Sequence, residues 1–122
     1  NNLRNLGEGL AAYAEELGET WADTTVVVLS EFGRTFRENG DKGTDHGHGT
    51  VHWVLGGNVR GGRIAGAQVA IQPSSLLQNR DYPVLTHYRD FLGGMFGRLW
   101  GLSPDRLQAV FPQARPRDLQ LV

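Results

Sequence analysis

Glu31, Arg34, Thr35, Asp45, His46 and His48 are the side chains of this sequence whose types and spacing suit chemistry. All lie in one segment, Ser30 to Thr50, which reads SEFGRTFRENGDKGTDHGHGT. Imidazoles and carboxylates together bind zinc, while oxygen donors alone suit manganese or calcium. In an extended backbone, positions 46 and 48 point to the same side, so two imidazoles would converge on one ion. Asp45 is then a third ligand, or the acceptor that orients a histidine. Arg34 offers a planar fork of donors to a phosphate, sulfate or carboxylate, with Thr35 beside it. Plainer alternatives stand next to these: Glu31 salt-bridged to Arg34, and the histidines in a polar surface loop.

The elements that must position these residues can be read on either side. Leu3, Leu6, Leu10, Tyr13, Leu17 and Trp21 recur every three or four residues, the apolar stripe of an amphipathic helix. Thr24 to Leu29 is β-branched and nearly all apolar, which predicts a strand covered on both faces, as in a parallel sheet. Glu31 then lies just past a strand's carboxyl end, where open α/β sheets collect ligands. Val51 to Leu55 reads as a second strand, Arg63 to Val69 as a short hairpin or edge strand, and Ala70 to Pro83 as loop.

Tyr88, Phe91, Leu92, Met95, Phe96, Leu99 and Trp100 form a second helical stripe, with Thr86 as N-cap and Gly101 just past the end. Its aromatics are core at helical spacing rather than a cofactor box. Ser103-Pro104 opens a short helix through Val110, and the tail after Pro112 reads as loose. His52 reads as a satisfied strand histidine and His87 as a cap or surface residue. Ten of the 17 glycines fall between Gly33 and Gly66, so that region must be rich in turns.

Composition excludes several classes. At 122 residues the chain suffices for one domain with a real core. A net charge of -1 argues against a nucleic-acid partner. No apolar run reaches transmembrane length. Without cysteine there is no disulfide, thiolate site or cysteine nucleophile. Ser30 lacks the G-x-S-x-G elbow, and the glycines match neither a P-loop nor a dinucleotide fingerprint.

The stretch TTVVVLSEFGRTFRENGDKGTDHGHGTVHWVLGGNVRGGRI, with RDYPVLTHYRDFLGGMFGRLWGLSPDRLQAVFP after it, resembles the C-terminal signature of a large, poorly characterised bacterial family. That family is commonly grouped with the alkaline phosphatase-like superfamily, which includes sulfatases and cofactor-independent phosphoglycerate mutases. The resemblance covers nearly the whole chain. It implies an α/β fold: a fragment of a three-layer alkaline phosphatase-like domain, helix–strand–loop–strand followed by C-terminal helices. Residues 1–122 would be a single unit, the C-terminal portion of a larger domain.

The resemblance implies a phosphoric or sulfuric ester hydrolase acting on an anionic small molecule. Zinc, manganese or calcium would be held by Glu31, Asp45, His46 and His48, and Arg34 with Thr35 would bind the substrate. In the superfamily a valine-rich strand ends in an Asp-His pair; here that position reads Glu31-Phe32, and Phe32 cannot ligate. The nucleophile would lie upstream, so the isolated chain is expected to turn over little. Family members resemble exported proteins, which implies a periplasmic setting. The alternative is a non-catalytic binding or assembly module. In either case strands with few neighbours leave sheet edges free, and self-association through them is expected.

Overall fold

A computed structural model describes residues 2–122. In chain order it contains helix α1 (Asn2–Leu17), strands β1 (Val26–Val28), β2 (Gly33–Arg34), β3 (His46–Gly47) and β4 (Trp53–Leu55), then helices α2 (Tyr88–Trp100) and α3 (Pro104–Val110). The class is mixed α/β, with small antiparallel sheets rather than a parallel one. No helix among the described residues is long and apolar enough to cross a membrane.

The valine run forms its strand, but the pairing differs from the parallel sheet expected. β1 runs antiparallel to β4, with Val26 opposite Leu55, Val27 opposite Val54 and Val28 opposite Trp53. The intervening chain doubles back through a second ribbon, in which β2 runs antiparallel to β3. This return brings β4 alongside β1 in the opposite direction, so no crossover helix is needed. The strands are also shorter than Thr24 to Leu29 and Val51 to Leu55.

The core gathers on α2. Phe91, Leu92 and Met95 are buried, and Val27 and Val54 from the β1–β4 ribbon pack against them. Phe96, Leu99 and Phe111 extend the cluster, and Leu119, Leu121 and Val122 close it from the far end of the chain. The tail after Pro112 is therefore packed, not loose. Asp90 anchors it: its carbonyl accepts from Arg117 N (2.8 Å) and its carboxylate from Arg115 N (2.8 Å). Gly94 lets the Arg117 carbonyl lie against the helix, where a Cβ would collide with it.

Helix boundaries follow local chemistry. His87, not Thr86, caps α2, its Nδ1 accepting from Arg89 N at 3.3 Å. Gly101 adopts the left-handed conformation (φ 60°) expected of a helix terminator. Ser103 caps α3 with Pro104 following, as its sequence implies. The segment Arg63 to Val69 forms no strand. Gly62 and Gly66 take positive φ (71° and 89°), and Arg63 instead donates to the carbonyls of Leu119 (3.0 Å) and Gln120 (2.6 Å).

α1 forms as the periodicity predicts and runs into a 3-10 turn, Gly18–Asp23. None of its residues is buried. Among the named elements it contacts only that turn, so Leu3, Leu6 and Tyr13 stay exposed.

Candidate functional site

The SEFGRT and DHGHGT blocks meet in the β2–β3 ribbon. Gly33 lies opposite Gly47 and Arg34 opposite His46. Glycine is required at this contact. A Cβ on Gly47 would come 2.6 Å from the Arg34 backbone and 3.0 Å from Asp81 Cγ, closer than packed atoms tolerate.

The segment Arg80 to Tyr82 completes the unit. Phe36 N donates to Arg80 O (2.9 Å), Tyr82 N to Arg34 O (3.2 Å) and Gly49 N to Tyr82 O (2.9 Å). The loop thus seats between both motif blocks and lends them Asp81.

His48 is held by that loop. Its Nδ1 lies 2.6 Å from Asp81 Oδ2. The carboxylate is buried and the imidazole side chain is 61 % exposed. Arg80 Nε approaches Asp81 Oδ1 at 2.8 Å, an ion pair that leaves this oxygen without an aligned hydrogen bond. Arg80 also donates to the His46 carbonyl at 2.9 Å.

His46 goes elsewhere. Its ring stacks on Phe32, centroids 4.3 Å apart and planes 4° from parallel. The two imidazoles expected to converge are thus held by different partners. Asp45 accepts from Asn39 Nδ2 at 2.9 Å. Glu31 is exposed at the end of its loop, and no ion pair joins it to Arg34 among the described residues. No group of three or more His, Asp or Glu side chains among the described residues is arranged to hold a metal.

Arg34 spends part of its fork on the neighbouring loop. Its Nε donates to Thr44 Oγ1 at 2.8 Å and its Nη2 to the Thr44 carbonyl. Thr35 is buried. Its hydroxyl accepts from Asp45 N (3.0 Å) and donates to Arg37 O (3.3 Å), tying the two motif blocks together. With both bonds made inside the fold, it acts as a brace.

His52 lies outside this cluster. It is not the satisfied strand histidine its position implied: its Nδ1 is buried without a partner, and its ring leans on Phe91 at 5.5 Å. Burial lowers its pKa below the ordinary 6.5.

Asp81 is the site residue that sequence reasoning missed. It lies 33 positions beyond His48, in a stretch without periodicity. The one available signal is that Arg80 and Asp81 are the only charged residues between Ile64 and Leu85.

These features define a mixed α/β chain whose two glycine-rich motifs are locked into one ribbon around an exposed, carboxylate-bound histidine. Residues 1–111 match the model of a protein family of unknown function, DUF1501, and the chain belongs to that family. No curated protein and no solved structure matches it.

Proposed function

We propose that this chain is the C-terminal part of a metal-dependent hydrolase of phosphate or sulfate esters, built on an alkaline phosphatase-like fold. The observation that carries the reading is His48, an exposed imidazole backed by a buried carboxylate, which is how histidines that serve cations are commonly held. Glu31, Asp45 and His46 flank it as candidate ligands. They form no three-ligand group among the described residues, so a full coordination sphere needs further carboxylates from upstream.

A zinc, manganese or calcium ion bound there would polarise the ester oxygen. The chain's own residues bind and orient. Arg34 is exposed, and its Nη1 has no partner among the described residues. It therefore retains a donor for the non-bridging oxygens of an anionic substrate. Thr35, whose hydroxyl makes both its hydrogen bonds within the fold, holds the ribbon in place. The nucleophile belongs to residues other than these, and the chain alone should turn over aryl phosphates and sulfates little or not at all.

The second reading, a non-catalytic binding or assembly module, is favoured by Phe32, which lies where the resemblance leads one to expect a ligand and covers one face of His46. The exposed apolar residues of α1 suit such a role, including self-association.

Calorimetric titration of the purified chain with zinc and with manganese separates the two. Saturable binding and a raised melting temperature, both lost in His48→Ala, are expected for a metal half-site. No heat and no thermal shift with either ion would favour the module.

A further inference from the structure

We propose that Asp81 is the positioning residue of His48, fixing its imidazole in the Nδ1–H tautomer so that Nε2 presents its lone pair outward. The inference rests on the reading of His48 as the working histidine and names the group that makes it one.

The geometry is built, not incidental. Asp81 is 4 % exposed. Its backbone is pinned in both directions, Leu77 N donating to Asp81 O (3.0 Å) and Asp81 N to Leu77 O (3.0 Å). A further bridge pairs it with Thr35. Arg80 sits on Oδ1 at 2.8 Å, which leaves Oδ2 to face Nδ1 at 2.6 Å. The missing side chain of Gly47 makes room: a Cβ there would press on Asp81 Cγ at 3.0 Å. An ionised carboxylate only accepts hydrogen bonds, so Nδ1 must be the donor. In the neutral ring the lone pair then falls on Nε2. No hydrogen bond reaches Nε2 among the described residues, and the ring is largely exposed. Nε2 is thus free to bind a cation or accept a proton from an incoming ligand.

An ordinary structural ion pair would look similar at Nδ1 but carry a proton on both nitrogens. Long-range proton–nitrogen NMR of the His48 ring in the purified chain, recorded at neutral pH, distinguishes the two, because a doubly protonated ring and a neutral Nδ1–H ring differ at Nε2. The Nδ1–H tautomer is expected in the wild-type chain, with a shift towards Nε2–H in Asp81→Asn. A doubly protonated ring or a predominant Nε2–H tautomer in the wild type, or no change in Asp81→Asn, would overturn the proposal. The wild-type spectrum decides the point even if the variant does not fold. Zinc titration of the same samples addresses the underlying reading separately. Where zinc binds, Asp81→Asn should weaken it by about 10- to 100-fold. If zinc does not bind while the tautomer is as described, the hydrolase reading fails and the positioning role stands.

Discussion

Phe32 lies face to face with His46, ring centroids 4.3 Å apart. The phenyl ring thus covers one face of an imidazole in the motif-bearing ribbon. Phe32→His would place a donor beside His46. Zinc affinity of the purified chain, measured by calorimetry, should rise by about tenfold or more, or about 1.4 kcal/mol. An unchanged affinity would show that position 32 does not face the bound ion.

Thr35 supplies a buried hydroxyl that joins the motif blocks. Thr35→Val leaves the Asp45 N–H and the Arg37 carbonyl without it and should cost about 1–3 kcal/mol in denaturant unfolding. Thr35→Ser keeps the hydroxyl and should recover most of that loss. Little loss in Thr35→Val with a larger loss in Thr35→Ser would mean that the methyl group's packing, rather than the hydroxyl, is what matters.

Gly47 lies in a close backbone contact of the ribbon, where a Cβ would come 2.6 Å from the Arg34 carbonyl. Gly47→Ala should destabilise by about 1–3 kcal/mol, the usual penalty for overpacking, and displace His48 from Asp81. Gly43 is the control. The nearest atom to a Cβ there is Asn39 Oδ1 at 3.8 Å, so Gly43→Ala should stay within about 0.5 kcal/mol. Urea melts of the two variants compare them directly.

His52 makes stability depend on pH. Its folded pKa is lowered by burial, so below the ordinary 6.5 the unfolded chain binds the proton more readily than the folded one. The contribution is fully present above that value and is lost as pH falls from it towards the lowered folded pKa. His52→Leu removes the titration, and its unfolding free energy should fall less across that window than the wild type's.

Arg98 and Asp118 clasp α2 to the tail, Nη2 to Oδ2 at 2.8 Å. The hydrogen bond from Arg98 holds the Asp118 pKa below its ordinary value. Its stabilising effect is therefore present above the ordinary carboxylate range and lost as pH falls through the lowered folded pKa. The pair is exposed, so Asp118→Asn should change global stability little while increasing amide exchange in the tail at neutral pH.

Much of this architecture was legible in the sequence because it depends on neighbours along the chain. The stripe from Tyr88 to Trp100, the Ser103-Pro104 start and Gly101 are local signals, and the helices follow them. The valine run marked β1, but nothing within it states whether its partner runs parallel or antiparallel. That depends on how Leu29 to His52 folds back. The tail read as loose because its anchors, Asp90 and Arg98, lie more than a helix away. The site divides the same way. Glu31, Arg34, Asp45, His46 and His48 stood out by type and spacing. Which of them share a partner depended on Asp81, brought in by a loop with no periodic pattern, and on Phe32, whose aromatic side chain gave no hint that it would stack on a histidine.

The proposed role of His48 is to offer Nε2 to a divalent cation. Crystals of the chain soaked in zinc, with anomalous diffraction collected at the zinc edge, test it most directly. The expected result is an anomalous peak about 2.0–2.1 Å from His48 Nε2, with Nδ1 still on Asp81. A peak bound through other residues alone, or no peak after a saturating soak, would contradict it.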